Sequence, residues 1–518
     1  MTKKLQTAAV IDIGSNELRL HIAQSTDADT IHYLENLNYP LSLGRDTFHM
    51  GKISFEKVDK ACEVIKGFLN VIKGYGIRHV YTIACTAIRE AANRDYVLDQ
   101  IKIKTGIDVH VMDDLEEKRH IYKLLTYYAD DYLKKSAVMV YIGTGSIGVN
   151  LYIDGKMPRT WNIRVGSLRM SEMFGNLQDV TRDFYRLMEE YLAGYIYKLE
   201  AELPAGIRNF IVSGQEGGLI SELVMHENED FLHGKPLYGI ERGVFDSFYE
   251  KIKHQTVDRI VNDYDIAVDK AEMVLPAACI CQKLLGCTDA KTIIASRLLP
   301  CDSILFEMLY PKKFADVDKR FENDTILSAK ELAQRYGANI AHGKIVCDYA
   351  DTIFSKIKKL HGLGVRDRVL LETAAYLHDI GEYINSLDHH LISYEMVKRS
   401  DIVGLTQAEQ EIVALICRFH SGTPDLKSFY YNVIPTETKV RVSKLAAMLR
   451  LADSIDRSHT QKKIEIDVKL LDDALLITVH TGENYTLEKW AFAEKSRFFE
   501  DVFGIKAELY LNKTGCRT

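Results

Sequence analysis

Residues 8–22 read AAVIDIGSNELRLHI, and residues 137–153 read AVMVYIGTGSIGVNLYI. Each is an apolar, β-rich run, a turn of small polar residues, and a second run in which apolar and polar residues alternate. That is strand, tight turn, strand, written twice at a spacing of about 130 residues, which predicts two similar α/β domains. Working outward, the intervening chain predicts a strand at VYTIAC (80–85), one helix over AIREAANRDYVLDQIKIKTG (87–106), a strand at DVHVM (108–112) and a helix from Leu115. Beyond the second copy come an amphipathic helix around 178–200, a strand at Phe210–Val212 and an apolar helix over 272–286. From about residue 320 helical spacing dominates to about 458 and histidines become frequent, and the tail then reads β-β-α-β. The expected division is 1–133 and 134–312 (two α/β domains), 313–460 (all-α) and 461–518 (small α+β).

A chain of 518 residues is too long for one core, which agrees with several domains. Apolar residues are 47% and charged residues 27% of the chain, the net charge is −7 and the pI near 6.2. This acidic balance argues against a nucleic-acid coat or a membrane-surface binder, so a polyanionic substrate needs a local basic groove. The stretches FSKIKK (354–359) and KVRVSK (439–444) are candidates for one, against a plainer reading as solvated helix faces. The nine cysteines include no Cys-x-x-Cys pair, and Cys279, Cys281 and Cys287 sit in an apolar helical run that reads as core. Asp12 interrupts the first apolar run too early for a signal peptide, and no apolar run is long enough to span a bilayer. The expected compartment is the cytoplasm.

Turns of this kind present successive backbone N–H groups, a nest suited to a phosphate. Gly14, Ser15 and Asn16 form the first, and Gly143, Thr144, Gly145 and Ser146 the second. Asp12, just before the first, suits a hydrated Mg²⁺. One such turn more often merely closes a hairpin; two in matching contexts can clamp a phosphate chain from both sides.

The string VIDIGSNELRL resembles the first phosphate motif of the exopolyphosphatase/guanosine pentaphosphate phosphatase (Ppx/GppA) family, a branch of the actin-like superfold. The resemblance continues through Thr86-Ala87-Ile88-Arg89-Glu90-Ala91-Ala92-Asn93, Leu115-Glu116-Glu117-Lys118-Arg119, Arg164-Val165-Gly166-Ser167-Leu168-Arg169 and Val274-Leu275-Pro276-Ala277. It implies two actin-like (ribonuclease H-like) domains and a homodimer. It also implies Glu117 as the base that activates water, Arg89 as a phosphoryl ligand and Asp12 as the holder of Mg²⁺ or Mn²⁺. Read alone, Glu116 and Glu117 are the acidic first turn of a helix, and Arg89 a solvated helix face.

The chain departs from the family pattern in its second phosphate motif. Tyr141 stands where the family has an aspartate, and opposite Asp12 in the internal repeat; Gly148 replaces a glutamate. Gln215-Glu216 follow Val212-Ser213-Gly214 where a threonine is usual, and Leu299-Pro300-Cys301-Asp302 replaces an Arg-Glu-Gly-type turn. A neutral tyrosine hydroxyl is a poor Mg²⁺ ligand, so the second motif keeps its nest and loses its carboxylates.

In the helical half, His342, His378-Asp379 and Asp453 stand in the order of the HD phosphohydrolase superfamily and resemble its metal ligands. Imidazole with carboxylate suits Mn²⁺, Fe²⁺, Ni²⁺ or Mg²⁺, a second divalent metal beside that of the cleft. His389, His390 and His420 are further candidates for a metal or a phosphate. Three readings follow. The first is hydrolytic release of terminal phosphate from inorganic polyphosphate, or from guanosine pentaphosphate, at Glu117. The second is hydrolysis at the histidine–aspartate set, and the third a non-catalytic polyphosphate or alarmone sensor.

Overall fold

The computed structural model describes residues 6–26, 31–78, 80–178, 184–226, 236–422, 433–460 and 464–512. By its contacts the chain forms two compact units, Met1–Phe321 and Glu322–Thr518, dividing within the helix Pro311–Arg335.

The first unit holds two sheets. One has the order β3-β2-β1-β4-β5, from β1 (Thr7–Ile13), β2 (Glu17–Ser25), β3 (Ile31–Pro40), β4 (Val80–Ala84) and β5 (His110–Val111). The other reads β8-β7-β6-β9-β11-β10, from β6 (Ala137–Ile142), β7 (Ile147–Ile153), β8 (Lys156–Ile163), β9 (Asn209–Ser213), β10 (Leu237–Glu241) and β11 (Thr292–Ser296). In both, an antiparallel three-strand meander is followed by parallel strands laid beside its first member: β4 beside β1, and β9 beside β6. The second sheet adds the antiparallel edge strand β10. β1 and β6 lie between neighbours on both sides, and their near-continuous apolar sequences are buried on both faces, as central strands require.

The stretch 87–106, expected as one helix, is two: Thr86–Glu90 and Arg94–Thr105. Ala91 turns extended (ψ 128°), and the Asn93 side chain bonds both the N–H and the C=O of Ile53, at 3.0 and 2.8 Å. This pairing, distant in sequence, overrides local helix propensity. It leaves Arg89 in the last turn of a five-residue helix.

In the second unit the helices Ile340–Lys356, Val365–Leu377, His389–Arg399, Gln407–Phe419 and Thr436–Ile455 share one apolar core with β12 (Ile466–Leu470) and β13 (Ala474–His480). These strands pair antiparallel, and β14 (Lys506–Asn512) joins β13 in parallel after the helix Thr486–Phe503. Within the second candidate basic stretch Lys444 is bonded to the His361 carbonyl and Arg441 to Asp367, so two of its cations are already engaged. No helix among the described residues is long and apolar enough to cross a membrane.

Candidate functional site

The two glycine turns face a common cleft. Gly14 N–H donates to Glu17 O and Gly143 N–H to Ser146 O, both at 3.1 Å, closing the tips of β1–β2 and β6–β7. The second tip is held by the 164–169 segment: Ser167 N–H donates to Gly143 O and Leu168 N–H to Thr144 O. Gly166 permits that approach, because a Cβ there would lie 2.3 Å from Thr144 O. Asp12, Gly14, Ser15, Glu117, Gly143 and Thr144 all line a cleft of about 30 Å³, room enough for a water molecule. Asn16, Gly145 and Ser146 are not in that lining; the Ser146 hydroxyl instead donates to Asp114 Oδ1 at 2.6 Å.

Glu117 reaches the cleft from the first turn of the helix Asp114–Tyr128, whose N-cap Asp113 accepts the Glu116 N–H. The two adjacent acids take different environments. Glu116 pairs with His110 at 2.8 Å, whereas Glu117, its side chain 13% exposed, turns into the cleft. Its Oε1 accepts the Tyr141 hydroxyl at 2.6 Å and its Oε2 lies 3.7 Å from Arg89 Nη1. Burial pushes the Glu117 carboxyl above the usual range, against the opposing pull of Arg89 and Tyr141. Arg89 is itself fixed by Met112 O and Thr86 Oγ1, each at 2.9 Å. Tyr141 keeps its proton, since burial and then Glu117 push its phenol well up.

Asp12 is paired across β1–β2 with Arg19, Oδ2 to Nη1 at 3.1 Å, and burial raises its carboxyl. Its Oδ1 is buried with no hydrogen-bond partner among the described residues, a bare carboxylate oxygen suited to a hard cation. In the second hairpin the corresponding cross-strand pair is Tyr141 and Gly148. A Cβ on Gly148 would fall 2.0 Å from the Tyr122 hydroxyl and 3.1 Å from Lys118 Cδ. Lys118 spans to Asp114 (2.8 Å) and Asn162 (3.0 Å), so the space beside Gly148 is filled.

The second unit brings its sequence candidates together as well. His342 Nε2 lies 3.3 Å from Asp453 Oδ1 and 3.7 Å from Asp379 Oδ2; His378 Nε2 lies 3.6 and 3.2 Å from the same two oxygens. The outer nitrogens are held elsewhere: His342 Nδ1 by Asp456 at 2.8 Å and His378 Nδ1 by Ala375 O at 2.9 Å. Neither Nε2 has a hydrogen-bond partner among the described residues. That arrangement, Nδ1 oriented outward and Nε2 bare toward carboxylates, fits a divalent metal. His389 and His420 face Asp379 Oδ1 at 3.5 and 3.3 Å, and their Nε2 atoms are 3.1 Å apart. Burial lowers the His378 ring, but Asp379 and Asp453 outweigh it and push His378 up to about 10; burial pulls His420 down to about 3. Lys495 also holds Asp453, an ion pair within the cluster.

The Ppx/GppA phosphatase family model matches residues 21–309, and that of Ppx/GppA phosphatase, domain III, matches 326–495. The chain belongs to the Ppx/GppA phosphatase family. A guanosine-5'-triphosphate,3'-diphosphate pyrophosphatase of Pseudoalteromonas translucida is 22% identical over 463 residues, 85% of this chain and 86% of the relative. An exopolyphosphatase from Cytophaga hutchinsonii (TM-score 0.52, 22% identity) and the Aquifex aeolicus family member (TM-score 0.50, 20% identity) each align over 60% of this chain and 99% of their own. The fold is the actin-like Ppx/GppA fold, with mixed sheets and largely helical content. As a Ppx/GppA member the chain is a phosphatase, a hydrolase of phosphoanhydride bonds.

Four contacts of these two clusters escape the sequence reading. The motif letters do not show that Arg19 occupies Asp12, or that Tyr141 bonds Glu117. Neither partner of the second cluster, Asp456 on His342 or Lys495 on Asp453, has a recognisable spacing. Only Arg19 carried a signal, since strand pairing from a tight turn puts residues 12 and 19 opposite each other.

Proposed function

We propose that the cleft between the two glycine turns hydrolyses a terminal phosphoanhydride, releasing orthophosphate from inorganic polyphosphate. Guanosine pentaphosphate is the alternative substrate, since it presents the same terminal bond. The observation that carries this reading is the convergence of Glu117, Asp12 and both turns on one cleft, with Arg89 3.7 Å behind Glu117. Glu117 Oε1 is held by Tyr141, which leaves Oε2 to take the proton of an attacking water. Its raised carboxyl makes it a stronger base than an exposed glutamate, and Arg89 beside it meets the charge of the transferring phosphoryl group. Backbone N–H groups of the two turns orient the phosphate chain. When bound, Mg²⁺ or Mn²⁺ supplies neutralisation of phosphate charge, and Asp12 is the residue that would hold it. In a Glu117→Gln variant, phosphate release should fall by roughly 10²- to 10⁴-fold, with polyphosphate binding retained by calorimetry. Unchanged release would remove Glu117 from the reaction.

A second reading rests on the unpartnered Nε2 atoms of His342 and His378 facing Asp379 and Asp453. These four residues would hold a divalent metal of an HD-type domain, which would supply an activated water for nucleotide phosphohydrolysis. Asp379→Ala should then lower the metal content of the purified chain by elemental analysis. Unaltered content would reject this set.

A further inference from the structure

β2 and the N-terminal turn of the helix Pro300–Leu309 bring together three side chains that the phosphate cleft does not use. His21 Nδ1 lies 3.3 Å from Asp302 Oδ1 and 3.6 Å from Cys301 Sγ. All three residues are buried, and their nearest ligand atoms lie within 4.8 Å of one another.

Hydrogen bonding within the trio is in conflict. With a proton on Nδ1 the ring donates to Asp302 and offers the thiol no acceptor. With Nδ1 bare the thiol has an acceptor, but the carboxylate oxygen faces a lone pair. The other nitrogen, Nε2, is buried and has no hydrogen-bond partner among the described residues. A cation at the centre resolves the conflict among Nδ1, the thiol and the carboxylate, because all three atoms then point at it as acceptors and the ring proton moves to Nε2. Around a tetrahedral Zn²⁺, ligands at the usual bond lengths stand roughly 3.3 Å (N to O) and 3.6 Å (N to S) apart. The two measured separations fall on these values.

The surroundings also suit a metal. Asp302 is oriented by the Tyr33 hydroxyl on Oδ1 (2.6 Å) and by Leu299 N–H on Oδ2 (2.8 Å), the outer contacts that fix a ligating carboxylate. His21, Tyr33 and Asp302, though not the fully buried Cys301, line a cavity of about 780 Å³, which gives an ion a path to the trio. Arg19 lines the same cavity but is neutralised by Asp12 and Glu17.

We propose that His21, Cys301 and Asp302 bind a Zn²⁺-class transition metal, with the fourth position open to the cavity for a water or a phosphate oxygen. A sulfur ligand selects against Mg²⁺, so this site is chemically distinct from the one at Asp12. It also stands independently of which cluster performs hydrolysis.

The test is a Co²⁺ titration of the chelator-stripped, full-length chain. Binding should produce a thiolate-to-cobalt charge-transfer band in the near ultraviolet, saturating at an amplitude that corresponds to one thiolate–cobalt bond per chain. Cys301→Ser should abolish the band, whereas Cys287→Ser, outside every such cluster among the described residues, should keep it. The histidine–aspartate cluster contributes none, since it has no sulfur ligand. No band in the wild type, or a band that survives Cys301→Ser, overturns the proposal. Should Cys301→Ser fail to fold, zinc-edge X-ray absorption of the wild type decides: one sulfur neighbour supports the site, and a shell of nitrogen and oxygen alone rejects it.

Discussion

Tyr141 donates to the carboxylate at the centre of the cleft, which makes it a determinant of that carboxylate's basicity. A hydrogen bond to a charged acceptor contributes roughly 1.5–3 kcal/mol, about 1–2 pH units on the titration of Glu117. Tyr141→Phe removes the donor, so the Glu117 carboxyl, already raised by burial, rises further. The acidic limb of kcat/KM against pH should therefore move to higher pH by that amount, with activity recovered on the alkaline side. A profile that stays in place would detach Tyr141 from the base. Glu216 offers a cleaner titration. It is buried, its Oε1 has no hydrogen-bond partner among the described residues, and burial pushes its carboxyl up to about 7 from 4.5. Because the folded chain keeps this proton longer than the unfolded one, stability falls as pH rises from 4.5 to about 7 and then levels. Glu216→Gln should stabilise the chain at pH 8 by on the order of 3 kcal/mol, and flatten that slope in urea unfolding.

At the scale of elements, the β6–β7 hairpin explains why a carboxylate is absent from position 148. Tyr122 and Lys118, both from the helix Asp114–Tyr128, occupy the place a side chain would take. Gly148→Glu should cost about 1–3 kcal/mol or more through overpacking, read as a lower urea midpoint. Gly148→Glu with Tyr122→Ala should recover part of that loss; an undiminished loss would mean the steric account is wrong. The hairpins themselves were legible because their alternation and turn residues are local properties of the chain. The break at Ala91 was not, because it depends on Asn93 meeting Ile53, a pairing that helix propensity cannot register. β3 and β10 were likewise unread; their mixed polar sequences carry weak periodicity and take their place from the strands beside them.

Across the whole molecule, the sequence showed which residues meet but not how they are already occupied. Asp12, Glu117 and the turn residues appear in order along the motifs, and the fold delivers Asp12, Gly14, Ser15, Glu117, Gly143 and Thr144 to one cleft. That Arg19 holds Asp12 and that Tyr141 holds Glu117 are facts of three-dimensional pairing. The histidines were visible as letters, whereas the outward bonds that turn each Nε2 toward Asp379 and Asp453 were not. The chain thus carries two separate candidate reaction centres, one in each compact unit, and comparing their knockouts apportions the chemistry. The most direct test is phosphate release from long-chain polyphosphate with Mg²⁺ or Mn²⁺, measured side by side for the wild type, Glu117→Gln and Asp379→Ala. Hydrolysis at the glycine-turn cleft predicts an active wild type, release lost in Glu117→Gln and largely retained in Asp379→Ala. An inactive wild type, or release that survives Glu117→Gln and disappears in Asp379→Ala, would contradict it.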